Sequence, residues 1–286
     1  HMDYEEELCA KRLRVQDALT RLGGSSVQVE EIIGADEPLR YRNKSQYPIS
    51  ADGKVGFYRA RTHDVVENKR CLILPAETDA VKDTVMDYVN QFRVSVYDEV
   101  AHKGLLRHIY VRRGVVSGQV LVCLVCNGNK LPKVDQLLKR LHKIPGFTTL
   151  VLSVNTKKGN AVLGDQFITL HGPGYIEDTL CGLTFRLSPR SFYQINPQQT
   201  EVLYNTAMDF AGLTGNETFF DAYCGTGTIG IIAATRGAKR VIGVELNKTA
   251  VRDAKSNARR NRIENIEFYA GDASRIITEM AAAGEK

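Results

Sequence analysis

The 286-residue sequence contains no apolar run approaching the roughly 20 residues that a membrane-spanning helix needs, because charged residues interrupt every candidate. No secretory leader is expected either; the opening His1-Met2 reads as a tag or cloning scar and is set aside. The six cysteines (Cys9, Cys71, Cys123, Cys126, Cys181, Cys224) are scattered through apolar or mixed stretches. They are not spaced as a disulfide framework, which argues against a small secreted scaffold and for a reducing cytoplasm. Cys123 and Cys126 form a C-x-x-C in "VLVCLVCNG", but no second pair completes a zinc set, and no metal site is expected. That run reads as a strand, on which positions three apart face opposite sides, so both thiols are expected in the core. Nothing repeats internally, and no segment is of low complexity.

What is present fits two domains with ordinary globular composition, 43% hydrophobic and 25% charged. The net charge of +5 is mild, but its distribution is uneven. Between Arg40 and Arg70 eight basic residues face three acids, with Tyr41, Tyr47, Phe57 and Tyr58 interleaved. A second stretch, "HKGLLRHIYVRRG", carries Lys103, Arg107, Arg112 and Arg113 and no acid. Basic side chains neutralise phosphates and aromatics stack on unpaired bases. Charge alone leaves this reading level with a solvated sheet face. Arg40, Arg42, Lys44 and Arg59 are the candidate phosphate contacts.

Residues 3–22 read as an amphipathic helix stopped at Gly23-Gly24. "YRNKSQYPISADGKVGFYRA" reads as a hairpin turning at Asp52-Gly53, and "GLLRHIYVRRGVVSGQVLVCLVC" as another turning near Ser117-Gly118. "KVDQLLKRLHKI" is a helix, and strands follow to about Leu187. After Ser188 the pattern changes. Asn196 caps a helix with Pro197 at its first position, and strand "TFFDAY", a glycine loop, helix "TIGIIAATRG", strand "RVIGVEL", helix "KTAVRDAKSNARRN", strand "IEFYAGD" and a last helix follow. This alternation is a right-handed βαβαβ half of a doubly wound sheet.

The glycine loop sits in "FFDAYCGTGTIG", with the spacing Gly225-x-Gly227-x-x-Gly230. Glu245 ends the next strand twenty residues past Gly225, where an acid can accept from both ribose hydroxyls of an adenosine. Asp272 ends the third strand, near the expected adenine edge. NAD and S-adenosylmethionine both carry adenosine, and Asp221, four residues before Gly225, discriminates. A carboxylate repels a pyrophosphate and attracts an ammonium and sulfonium; at ~4 Å and an effective dielectric near 20 this amounts to about 4 kcal/mol before desolvation. The pattern favours a methyl donor, with an NAD-dependent dehydrogenase as the rival.

The stretches "YRNKSQYPI", "RLSPRSFYQIN", "SFYQINPQQTEVLY", "DAYCGTGTIGI" and "VIGVELNKTAVRDAKSNARRN" together resemble the RNA uracil-C5 methyltransferases, most strongly those of bacterial 23S ribosomal RNA. The resemblance covers nearly the whole chain. It implies an α/β fold: a partial Rossmann-like methyltransferase sheet over residues 188–286, preceded by a strand-rich α+β RNA-binding domain over residues 3–187. It places Gln194, Tyr223 and Glu245 on S-adenosylmethionine, beside Asp221, Gly225, Gly227 and Asp272. In the family a cysteine adds to carbon 6 of uracil, carbon 5 takes the methyl group, and a base removes the carbon-5 proton. Complete members carry a β-barrel and three clustered cysteines ahead of this region, with a fourth matching Cys71, and place the nucleophile and base beyond the point matching Lys286. Cys224 is therefore not the expected nucleophile, and this chain is expected to be inactive alone. Ribosomal RNA is the expected partner, a membrane is not, and a dimer or swapped assembly through the exposed edge of the first cofactor strand is plausible. A transfer-RNA enzyme and a non-catalytic RNA-binding module remain alternatives, the former weakly disfavoured by Cys71.

Overall fold

Helix α1 (Tyr4–Asp17) starts where the Asp3 carboxylate accepts from the Glu5 backbone N–H at 3.2 Å. It widens into one π-helical turn, Ala18–Leu22, before Gly23. The computed structural model describes residues 2–284, so His1 and the last two residues of the 188–286 segment lie outside it. The helix is where the sequence puts it, but its apolar stripe does not bury. No residue of α1 is buried, and Leu13, Val15, Leu19 and Leu22 face solvent. Polar bonds anchor the chain returning after it: the Tyr4 hydroxyl accepts from Ala35 N at 2.6 Å, and Gln16 bridges Val27 O and Val29 N.

The remaining elements are β1 (Lys44–Pro48), β2 (Gly56–Tyr58), β3 (Val65–Glu67), α2 (Ala76–Phe92), β4 (Leu106–Arg113), β5 (Val120–Cys126), α3 (Val134–Leu141), β6 (Phe147–Val154), β7 (Gln166–His171), β8 (Ile176–Leu180) and β9 (Leu183–Leu187). Then follow α4 (Pro197–Ala211), β10 (Thr218–Asp221), α5 (Thr228–Thr235), β11 (Arg240–Glu245), α6 (Lys248–Arg260), β12 (Ile266–Ala270) and α7 (Ala273–Ala282). A five-stranded sheet runs β1-β4-β5-β6-β7, antiparallel except for β5 beside β6, whose crossover is α3. The β4–β5 hairpin turns at Gly118 (φ +69°) as expected. The Asp52-Gly53 turn also forms, with Gly53 at φ +84°. Beyond it, only Ile49 and Val55 bridge. β1 pairs along its whole length with β4 instead, and β2 pairs with β3.

The sheet is covered on both faces, which explains why "VLVCLVC" is an unbroken apolar run. On one face α2 and α3 pack Val81, Val85, Tyr88, Leu137 and Leu141 against Val122, Leu124 and Cys126. On the other face Leu121, Cys123 and Val151 join Phe185, Tyr204, Ile231 and Ala254 in a second core. Cys123 and Cys126 therefore point to opposite faces, both fully buried. The second core runs continuously from the five-stranded sheet through the β8–β9 hairpin to α4, α5 and α6. Helix α2 is absent from the sequence reading, although Val81, Val85, Tyr88 and Val89 recur at helical spacing after Pro75.

The second basic stretch is not a solvated face. Arg112 is 1% exposed, and its guanidinium donates to Ser188 O at 2.9 Å and Ser191 O at 2.8 Å. Arg107 is buried over the Tyr97 ring and donates to Asn155 O and Lys157 O. Arg113 pairs with Glu77 at 3.1 Å. Tyr47, one of the interleaved aromatics, is likewise buried, with its hydroxyl on Asp79. Arg107, Arg112 and Tyr47 are taken by the fold, whereas Arg113 is half-buried and Lys103 is exposed. In the C-terminal half β10-β11-β12 form a parallel sheet, and β10 pairs with β11 alone among the described residues. Replacing Arg112 by Met leaves two carbonyls without their donor, and a loss of about 2–5 kcal/mol is expected. An unchanged urea midpoint in that variant would contradict the assignment.

Candidate cofactor site

The first strand of the parallel sheet, β10, delivers Asp221 to its carboxyl edge, and the glycine loop turns from there into α5. Gly225 (φ +53°) and Gly227 (φ +83°) adopt backbone conformations that L side chains rarely reach. Their surroundings differ. A Cβ on Gly225 would project into open space, so that position leaves the backbone accessible to a ligand. A Cβ on Gly227 would lie 2.9 Å from the Phe268 ring, so glycine there lets α5 sit against β12.

Glu245, at the end of β11, ties this loop down. One oxygen accepts from Gly225 N at 3.2 Å, the other from Asn247 N at 2.8 Å, and Cys224 N donates to Val244 O at 2.9 Å. Capping of α6 falls to Asn247, which accepts from Thr249 N, so Glu245 is not the helix cap. Each Glu245 oxygen keeps a lone pair for a further donor. Asp272 caps α7, accepting from Arg275 N at 3.0 Å, and is exposed. Gly271 N donates to Glu245 O at 3.1 Å, which brings Asp272 beside Glu245 on the same edge. Tyr223 stands 82% exposed on the loop.

Gln194 reaches the site through the segment between β9 and α4. The Phe192 carbonyl accepts from Thr226 Oγ1 at 3.2 Å, joining that segment to the glycine loop. Asn43, just before β1, holds it from the other side: Nδ2 donates to Gln194 O and the backbone N–H to Ile195 O, both at 2.9 Å. Asn257 of α6, 1% exposed, donates to Thr226 O at 3.1 Å and accepts from Arg186 N at 3.0 Å. Asn43, Thr226 and Asn257 are positioning residues that the sequence reading does not single out. The structure thus places Gly225, Glu245 and Asp272 on one edge, with Tyr223 exposed on the loop and Gln194 two residues from the Phe192 carbonyl that meets Thr226.

Asp221 lies underneath the loop, 9% exposed, and its Oδ2 has no hydrogen-bond partner. Burial pushes its carboxyl up to about 6; the nearby Glu245 charge adds to this, and the Gly230 and Tyr223 N–H groups oppose it. Cys224 is also buried, and burial, then Asp221 and Glu245, push its thiol up to about 12. Such a thiol is a poor nucleophile.

Among the candidate phosphate contacts, Arg40 and Arg59 are exposed, and Arg42 and Lys44 are half-buried. Arg42 Nε donates to Lys44 O at 3.1 Å. Burial, then Arg112 and Arg42, hold the Lys44 amine below the usual lysine range. Because Asn43 lies between Arg42 and Lys44, this basic segment adjoins Gln194. Arg59 belongs to the tip of the β2–β3 hairpin, where its N–H bonds Asp64 O.

Residues 213–284, which carry the glycine loop at the head of the parallel sheet, match the family model described as a methyltransferase domain. Over 290 residues the chain is 44% identical to an uncharacterized RNA methyltransferase of Clostridium tetani, covering 100% of this chain and 63% of that protein. It is 43% identical over 289 residues to an uncharacterized RNA methyltransferase of Halalkalibacterium halodurans, covering 99% and 63%. The tRNA (uracil-54, C5)-methyltransferase of Pyrococcus abyssi, solved with S-adenosyl-L-homocysteine, shares the fold with a TM-score of 0.80. That match has 23% identity and covers 95% of this chain and 64% of that one. The chain spans less than two thirds of the length of each of these proteins. The expected α/β architecture with a Rossmann-like methyltransferase sheet is therefore present.

Two outcomes follow from the buried groups. The folded Asp221 carboxyl titrates above its unfolded value, so the stability it confers is complete below about pH 4 and is lost as pH rises through about 6. The full loss is on the order of 3 kcal/mol. Asp221→Asn should flatten this part of the urea-stability profile between pH 4 and 7.5; a profile identical to wild type would refute the burial account. In thiol mapping with Ellman's reagent, exposed Cys9 should react at once and Cys224 only on unfolding. Prompt modification of Cys224 in the folded chain would show its environment to be misread.

Proposed function

We propose that this chain is part of an S-adenosylmethionine-dependent RNA methyltransferase acting on carbon 5 of a uridine, with 23S ribosomal RNA as substrate. The observation that carries the cofactor reading is the orphaned Asp221 Oδ2 beneath an open glycine loop fastened by Glu245. A buried acid without a cationic partner fits an ammonium and sulfonium better than a pyrophosphate, by charge sign alone. Glu245 would accept from the ribose hydroxyls, Tyr223 and the Gly225–Gly227 backbone would line the pocket, Gln194 would hold polar groups with its side-chain amide, and Asp272 would face the adenine edge. When bound, the cofactor supplies an electrophilic methyl group.

The RNA reading rests on the likeness to uncharacterized RNA methyltransferases and on the basic segment that adjoins Gln194. Residues 3–187 would carry the RNA-binding unit and residues 188–286 the cofactor unit, in a cytoplasmic protein. Burial raises the thiols of Cys123, Cys126, Cys181 and Cys224. None of these four is poised to add to a pyrimidine, and we read the chain on its own as binding cofactor and RNA without turnover.

Calorimetry with S-adenosylhomocysteine tests the cofactor site. Glu245→Ala should weaken binding by about 1.5–3 kcal/mol, roughly 10- to 150-fold, with the melting temperature as control for folding. Undiminished affinity would sink the assignment. For RNA, each of Arg40→Gln, Arg42→Gln, Lys44→Gln and Arg59→Gln should flatten the log K against log salt slope by roughly one unit. Binding of ribosomal RNA with no salt dependence in the wild type would remove the electrostatic basis of the reading.

A further inference from the structure

Helix α6 carries a feature that the cofactor site does not use. Its buried face presents Val251, Ala254, Asn257 and Ala258 to the core. On the outside, Lys248, Arg252, Lys255 and Arg259 follow one another at spacings of four, three and four, which puts them on one face. All four are exposed, and none forms an ion pair within 4 Å among the described residues. The stripe runs about 16 Å along the helix at 1.5 Å per residue. The only acid on α6 is Asp253, half-buried to one side of it. An ordinary solvated helix face mixes both signs, with acids set to pair with its bases.

Arg252 connects this stripe to a second feature. A cleft of about 230 Å³ opens between the end of β9 and α6, lined by Arg186, Ser188, Ser191, Arg252, Asp253 and Ser256, with Asn257 at its wall. Two guanidinium groups and three hydroxyls line it beside the Asp253 carboxylate; Arg186 lies 3.8 Å from Glu177, and the Ser188 and Ser191 hydroxyls bond each other, which leaves Arg252 and Ser256 as its unengaged donors. Ser191 directly precedes Phe192, whose carbonyl is bonded to the glycine loop, so the cleft communicates with the candidate cofactor edge.

From the stripe of four exposed cations and the cleft at its side, we infer that α6 is a second RNA-backbone surface, with phosphates on Lys248, Arg252, Lys255 and Arg259, the one on Arg252 seated at the mouth of the cleft. The occupant is polyanionic and regularly charged, and charge complementarity selects it: four unpaired cations in a row reward the release of counterions from a phosphate chain. The inference rests on the RNA-substrate reading above, but concerns a different face from the Arg40–Arg59 contacts.

The test uses the whole chain, a fluorescein-labelled single-stranded oligouridine and anisotropy at several salt concentrations at pH 8. Replacing Lys248, Arg252, Lys255 and Arg259 together by Gln should reduce the slope of log K against log salt by about 3, at about 0.7 per single-strand contact. Affinity for S-adenosylhomocysteine and the melting temperature should stay at wild-type values. Asp253→Asn should tighten RNA binding, a gain that damage to the fold would not produce. If the wild type binds oligouridine and the fourfold variant binds it with the same affinity and slope, the surface is wrong and the RNA reading stands. If the wild type does not bind oligouridine, both fall. Binding to phosphatidylserine vesicles that depends on these four residues, without RNA binding, would overturn the choice of partner.

Discussion

The geometry of the candidate site depends on a buried guanidinium. Arg112 leaves the five-stranded sheet to hold two carbonyls of the segment between β9 and α4, and Asn43, just before the neighbouring strand, holds the carbonyls of Gln194 and Ile195 in that segment. The segment in turn accepts a bond from Thr226 in the glycine loop. A planar, permanently charged fork suits this position, because it satisfies two fixed acceptors at once without a titrating counter-charge. The front half therefore does more than carry basic residues: it sets where Gln194 stands relative to the cofactor edge. The continuous core through Phe185, Tyr204 and Ala254 makes the same connection with apolar contacts.

The loop itself stores an electrostatic conflict. Asp221 and Glu245 lie close enough to raise the Asp221 carboxyl, and burial raises it more. A fold optimised for stability alone would place an amide or an apolar side chain beneath the loop. Retaining an acid with an unpartnered oxygen there makes sense if a cation arrives to complete it. Gly225 supports this view, since its missing Cβ opens onto empty space, whereas at Gly227 it is packing that demands the absence.

Much of this was legible in the sequence. The strand–loop–helix order after residue 188, the Asn196 cap and the opposed cysteines of "VLVCLVC" follow from local periodicity, and the structure has them. The basic stretch from Lys103 to Arg113 misled, because charge in sequence does not reveal whether a side chain points to water or to a carbonyl. Arg107 and Arg112 bond to acceptors 48 to 79 residues away, a separation that no window detects. The apolar stripe of α1 failed for a related reason: periodicity announces a face, but only tertiary packing supplies its cover. Asn43, Thr226 and Asn257 were invisible, since a bridging amide or hydroxyl has no pattern of its own. The stripe on α6 was written plainly in "KTAVRDAKSNARR", but needed the exposure of each residue to separate it from the buried face.

The central claim is that the glycine loop holds the sulfur-bearing adenosine rather than a dinucleotide. The most direct measurement follows the backbone amide resonances of Gly225, Thr226 and Gly227 while ¹⁵N-labelled chain is titrated in parallel with S-adenosylhomocysteine and with NAD. Saturable shifts of these amides with S-adenosylhomocysteine, and none at matched NAD concentrations, are the predicted result. Saturation by NAD with the loop silent toward S-adenosylhomocysteine would contradict the account.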